Sequence, residues 1–201
     1  MDMSIIAGAR LRERPFEYAA NGVTVVLKSG YAAGTTGKVQ GDNSGKIYTA
    51  VNETQLRAMD VDTDDFTSVC TTLVTNMSNM FNGASSFNQD INSWDVSSVN
   101  SIRNMFGGTS SFNQPLNSWD VSSVTSMVGV FGEATAFNQP LDNWDVSSVT
   151  NMGLMFAIAE AFNQDISNWC VTNIASEPNN FDTGADAWVL SNSRPIWGTC
   201  P

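Results

Sequence analysis

Apolar side chains change period part-way through a block of sequence that recurs four times. Val74, Met77 and Phe81 stand at i, i+3 and i+7 and, with Met80, mark one face of a short helical segment. The chain then reads as extended, with Phe87, Ile91, Trp94 and Val96 as inward candidates and Trp94 to Val96 at strand spacing. The blocks start at Val74, Val99, Val124 and Val149, a period of 25 residues, so residues 74–173 follow one recipe. A period between 20 and 50 residues signals a solenoid, in which each unit buries its apolar side only against its neighbours. The fold class expected is an α/β repeat of short strands and short helices. Stacked coils bring identical side chains about 5 Å apart, turning Trp94, Trp119, Trp144 and Trp169 and the Phe positions into columns through a core.

The polar positions recur as regularly. The pairs Ser97-Ser98, Ser122-Ser123 and Ser147-Ser148 precede the next unit's Val and are placed to cap each new helix. Asn82-Gly83, Gly107-Gly108 and Gly132-Glu133 release the chain into a turn. Phe-Asn-Gln is identical in all four units. Stacking therefore aligns Asn88, Asn113, Asn138 and Asn163, and beside them Gln89, Gln114, Gln139 and Gln164, as amide ladders that satisfy turn backbone. These eight side chains are also the candidate interaction surface. Asp95, Asp120 and Asp145 are expected to accept backbone N–H groups; a calcium site between coils wants more oxygens than one regular carboxylate per unit supplies.

The flanks do not repeat. Residues 1–50 read as an N-terminal arm followed by β structure, with strand-like runs at Val23–Leu27 and Lys46–Val51 and a Gly-rich stretch between them. Residues 51–73 form the expected N-terminal cap, opened by a helix near Glu53 that Asn52 and Gln55 cap reciprocally. The run Asp60 to Asp65 resembles the start of an EF-hand loop but lacks its sixth-position Gly and closing Glu, so a solvated acidic loop is expected. Residues 174–201 form the expected C-terminal cap. The fourth unit places Leu154 and Ile158 where earlier units carry Asn79, Asn104, Gly129 and Gly83, Gly108, Glu133. These extra apolar side chains are expected to receive Phe181, Trp188, Val189, Leu190 and Trp197, or else another subunit.

Charge narrows the partners. The chain has 20 Asp plus Glu against 9 Lys plus Arg, a net charge of −11, and Arg103 is the one basic residue of the repeats. Nucleic acid and anionic membrane surfaces are disfavoured, because both need clustered Lys and Arg. No apolar run is long enough for membrane insertion, and the start, interrupted by Gly8 and by Arg10, Arg12 and Arg14, does not read as a signal peptide. The chain has no His, no nucleophile elbow and no phosphate loop, so it is not expected to be an enzyme or to hold a cofactor or metal. Of the three cysteines, Cys170 and Cys200 either bridge, closing a loop worth roughly 3 to 4 kcal/mol, or remain with Cys70 as free thiols.

The residues Met-Phe-x-x-Ala-x-x-Phe-Asn-Gln-x-Ile/Leu-x-x-Trp-Asp-Val-Ser-Ser-Val-Thr-x-Met closely resemble the BspA-like leucine-rich-repeat proteins, in the short-repeat branch with 25-residue units found on bacterial surfaces and in some viral genomes. The resemblance covers residues 74–173, and the ending Trp197-Gly198-Thr199-Cys200-Pro201 looks like the family's closing segment, supporting a stapled cap. It implies a leucine-rich-repeat-like right-handed solenoid with no catalytic residues. The function expected is a non-catalytic protein-interaction or adhesion module, on a bacterial cell surface or a virus particle, whose partner is a protein or surface receptor. The alternative is a structural decoration or spacer anchored to a larger assembly through the N-terminal segment.

Overall fold

Two left-handed residues per coil decide the shape of the repeat. The structure, a computed structural model, describes residues 14–189 and 193–201; Arg10, Arg12 and the rest of the arm through residue 13, together with Leu190, lie outside the described residues. Positive φ falls at Asn79 (58°), Asn104 (49°), Gly129 (63°) and Leu154 (61°), and again at Gly83 (76°), Gly108 (71°), Glu133 (60°) and Ile158 (58°). A left-handed residue cannot extend a right-handed helical ladder. The segment whose apolar spacing reads as a short helix is therefore a run of turns, with Met80 N–H donating to the Met77 carbonyl at 3.2 Å and Ala84 N–H to Phe81 at 3.0 Å.

The alternate N–H groups point along the stack. Asn79, Phe81 and Gly83 donate to the carbonyls of Arg103, Met105 and Gly107 at 2.7 to 2.9 Å. Asn104, Phe106 and Gly108 do the same to Val128, Val130 and Gly132, and Gly129, Phe131 and Glu133 to Gly153, Met155 and Ala157. Regular strand pairing is limited in the repeats to single parallel bridges linking Asn76, Ser101, Ser126 and Asn151. The serines predicted to cap helices act elsewhere: Ser97 and Ser122 give both N–H and Oγ–H to Asp95 and Asp120 two residues earlier. With no helix to cap, the Asp-x-Ser pair closes a local turn instead.

The aromatic residues stack in columns. Phe81, Phe106, Phe131 and Phe156 follow one another at centroid distances of 5.7, 5.6 and 5.6 Å, and Phe87, Phe112, Phe137 and Phe162 at 5.8, 6.0 and 6.0 Å. Trp94 lies on Trp119, and Trp144 on Trp169, with planes within 6° of parallel. Each buried indole N–H donates to a carbonyl of the preceding segment: Trp94 to Phe66, Trp119 to Ile91, Trp144 to Leu116 and Trp169 to Leu141. The columns end where rings turn edge to face, a favoured aromatic geometry. Phe66 meets Phe81 at 76° and Phe87 at 87°, and at the far end Phe181 and Trp188 meet Phe156 at 82° and 77°.

The N-terminal region builds a second, smaller core. β1 (Phe16–Tyr18) and β2 (Val25–Leu27) form an antiparallel pair; β3 (Thr36–Gly37) runs antiparallel to β4 (Tyr48–Asn52), which is parallel to β5 (Val69–Leu73). The helix α1 (Glu53–Arg57) crosses between β4 and β5, opened by the capping box of Asn52 and Gln55 that the sequence predicts. Side chains alternate across β4 and β5. Val51 and Val69 join the array core, while Tyr48, Ala50 and Cys70 face Phe16, Val25, Leu27 and Val39. The hairpin lies along the flank of the array, not ahead of it: Val25 N–H donates to Ser93 O at 2.8 Å and Asn21 Nδ2 to Ser118 O at 3.1 Å.

The C-terminal segment runs as a fifth coil. Leu154, Phe156 and Ile158 donate their N–H groups to Asn179, Phe181 and Thr183, and Val171 donates to Thr199. Cys170 and Cys200 are joined by a disulfide. Phe181 and Trp188 seat on the ends of the Phe columns, but the side chains of Leu154 and Ile158 stay 46% and 45% exposed. The expectation that these two receive the C-terminal aromatic residues is corrected: their left-handed backbone leaves the side chains nearly half exposed, and they meet the fifth coil through their N–H groups and, for Ile158, beside Gly184. Val189 is likewise exposed.

Candidate functional site

The Asn and Gln columns bond mainly to one another. Asn113, Asn138 and Asn163 each donate their backbone N–H to the side-chain oxygen of the Asn one coil earlier, at 2.9 to 3.0 Å. That same oxygen accepts Nε2–H from Gln114, Gln139 and Gln164 at 3.0, 3.0 and 2.7 Å. Gln89, in the first unit, reaches the N-terminal cap instead, accepting from Phe66 N–H and donating to the Asp64 carbonyl, both at 2.8 Å. Asn88 starts the ladder, and at its other end the Oδ1 of Asn163 is buried without a partner among the described residues. Asn88, Asn113, Asn138, Gln114, Gln139 and Gln164 thus form a band whose side-chain geometry is fixed by mutual hydrogen bonds.

The carboxylates are similarly committed. Hydrogen bonds from Ser147 hold the Asp145 carboxyl below the usual range, as those from Ser167 do for Asp165 and those from Thr67 and Ser68 for Asp65. In the acidic run, Asp60 accepts from Asp62 N–H and Asp64 from Asp60 N–H, so these side chains shape the loop. Among the described residues no group of three or more His, Cys, Asp or Glu is arranged to hold a metal ion. The Cys70 thiol is buried in the second core and donates to the Val25 carbonyl at 3.3 Å. Burial pushes its pKa up, which keeps it in the unreactive thiol form.

The surface hollows are open grooves. A groove of about 540 Å³ lies beside the junction of coils four and five, lined by Arg103, Leu154, Ile174, Glu177, Asn179 and Asn180 among others. Another, of about 500 Å³, lies between the hairpin tip at Asn21 and Val23 and the column of Asn117, Asp120, Asn143 and Asp145. The first brings together residues that the sequence leaves unconnected. Its signal in the sequence is the replacement of Asn and Gly by Leu154 and Ile158 in the fourth unit, which marks the place but not the exposure.

Arg57 fills a role that the sequence does not announce. From α1 its guanidinium donates to the carbonyls of Ser78 at 3.1 Å and Asn76 at 3.2 Å, while Glu53 holds it from one turn earlier at 3.1 Å. Those carbonyls occupy the places that accept N–H groups in later coils. Arg57 thus covers the first two acceptors on that edge of the inter-coil ladder, one way in which exposed sheet edges are kept from pairing with other chains.

No helix among the described residues is long and apolar enough to cross a membrane. Comparison with curated proteins gives no match, and neither does comparison with solved structures. Residues 49–169 match the family described as "Mycoplasma protein of unknown function, DUF285", a span that opens within β4 and runs through the Trp of the fourth unit. The match takes in more than half of the chain, and the protein belongs to the DUF285 family.

Proposed function

We propose that the protein is a non-catalytic protein-interaction or adhesion module, displayed on a bacterial cell surface or a virus particle, whose partner is a protein or surface receptor. Within its family we place it in the short 25-residue branch of BspA-like leucine-rich-repeat proteins, and read its stacked coils as a leucine-rich-repeat-like right-handed solenoid in which turns take the place of helices. The observation that carries this reading is the amide band from Asn88 to Gln164, held rigid by mutual hydrogen bonds along one flank. A preorganised polar surface of this kind recognises a broad partner at low ordering cost. The open grooves support the same reading, since small-molecule sites enclose most of their ligand.

The spacer role finds less support. It rests on an anchoring N-terminal segment, whereas the residues of that segment in the second core, among them Phe16, Val25, Val39 and Tyr48, pack within the chain, and the hairpin bonds to the array flank. The test is capture with the intact chain as bait, comparing it with a variant carrying Gln114→Ala and Gln139→Ala. The expected result is saturable binding to a protein component that the double variant weakens while its unfolding midpoint shows it folded. Binding of no protein component, or catalytic turnover of one, overturns the proposal.

A further inference from the structure

Through the turn segment the inter-coil ladder runs one way, although elsewhere in the coil Asn100, Thr125 and Thr150 donate back to Thr75, Asn100 and Thr125. Each coil gives alternate N–H groups to carbonyls of the next, and the last such donors with acceptors are Leu154, Phe156 and Ile158. In the fifth coil the same places fall to Asn180, Asp182 and Gly184, with Asn180 and Gly184 again left-handed at 52° and 81°. Among the described residues none accepts their backbone N–H groups. Arg57 covers the Asn76 and Ser78 carbonyls at the opposite edge of the stack, whereas this edge presents a row of donors at two-residue spacing to solvent.

Beside that row stand the two least expected side chains of the array. Leu154 and Ile158 hold φ of 61° and 58°, a conformation costly for any L-residue and most of all for a β-branched one. The other three coils place Asn, Asn and Gly, or Gly, Gly and Glu, at those positions. Burial within the chain offsets only part of that cost, since the two side chains stay 46% and 45% exposed. Strain kept with so much apolar surface left exposed points to a contact outside the fold. Glu177 lines the groove with Leu154 and with Arg103, and the exposed Glu133 stands beside Ile158, its N–H donating to Ala157; Arg194 is committed to Asp182 and to the face of Trp188.

We propose that the open edge of the fifth coil is a docking site for an extended, cationic segment of a partner polypeptide, which adds to the stack as a further strand. The occupant's carbonyls accept from Asn180, Asp182 and Gly184, an apolar side chain covers Ile158 and Leu154, and basic side chains meet the acidic rim. Backbone bonds supply affinity in strand addition, while the flanking pockets and charges supply selectivity. This refines the interaction reading and rests on it.

The test uses the full chain and dye-labelled synthetic peptides of alternating Arg and Val, or alternating Glu and Val, followed by fluorescence anisotropy. The Arg–Val peptide is expected to bind one to one and to shift the NMR amide signals of Asn180, Asp182 and Gly184. Binding is expected to weaken by about tenfold or more for the Glu–Val peptide, and for the variant carrying Leu154→Asn and Ile158→Gly. That variant should unfold no earlier than the parent, because Asn and Gly suit positive φ. Equal peptide binding by parent and variant, or unmoved amide signals, overturns the proposal. So does concentration-dependent dimerisation lost in the variant without peptide binding, which assigns the edge to a second copy. A captured protein partner held equally by both refutes the edge site while the interaction reading stands.

Discussion

Trp119→Ala is expected to lower stability by about 4 kcal/mol, read as an earlier urea midpoint with an unchanged slope. Trp119 is a middle member of the array, 3% exposed, stacked on Trp94 at 6.5 Å and tilted against Phe106 at 6.1 Å. The coils on both sides are held by their own ladders, so the space left by an indole cannot close without breaking column register. The cavity is the dominant cost. The Ile91 carbonyl that loses the indole N–H still accepts Trp94 N–H at 3.0 Å, so no buried acceptor is orphaned. A loss below about 1 kcal/mol means that the columns are not close-packed.

Removing the disulfide has the next largest effect. Replacing Cys170 and Cys200 by Ser is expected to cost about 3 to 4 kcal/mol, since the bridge closes a loop with a sequence separation of 30. The consequence reaches the core, because the fifth coil carries Phe181 and Trp188, which terminate the Phe columns at Phe156 and Phe162. Loosening that coil exposes column ends to water, so the variant should also bind a hydrophobic dye before global unfolding. Alkylation in denaturant gives the companion check: one reactive thiol, Cys70, without reductant and all three cysteines with it. Three thiols without reductant, or an unchanged midpoint in the double variant, contradicts this role.

The core of the array is legible in the sequence because burial follows residue type at a fixed period. Val74, Met77, Phe81, Phe87, Ile91, Trp94 and Val96 are all buried, as are their equivalents in the later units. The backbone route is less legible. Spacing of i, i+3 and i+7 states which side chains point inward, and a succession of turns satisfies it as well as a helix does. The left-handed residues that choose between them are Asn79 and Gly83, types equally at home in a helix-ending turn. Asp-Val-Ser raises the same ambiguity, since Ser before a presumed helix and Ser closing an Asp turn look alike.

Long-range placement left no local trace. The hairpin meets the array where Asn21 reaches Ser118, 97 residues away, and nothing near either residue encodes that contact. The apolar break at Leu154 and Ile158 was visible, but its apolar character suggested burial, and backbone conformation decided the opposite. At the candidate surface, the alignment of the Asn and Gln columns follows directly from the period. The departure of Gln89 into the N-terminal cap does not, because it depends on how Phe66 ends the column.

Residue-resolved amide hydrogen exchange on the intact chain tests most directly whether the coils form one continuous stack, joined through their turn segments by N–H groups that point to the following coil. The N–H groups of Phe81, Phe106, Phe131 and Phe156 each donate to the following coil, at 2.7 to 3.0 Å. They are expected to exchange slowly and at one common free energy, that of global unfolding, while Asn180, Asp182 and Gly184 at the open edge exchange fast. Protection that differs from coil to coil, or slow exchange at Asn180, Asp182 and Gly184 in the unliganded chain, contradicts it.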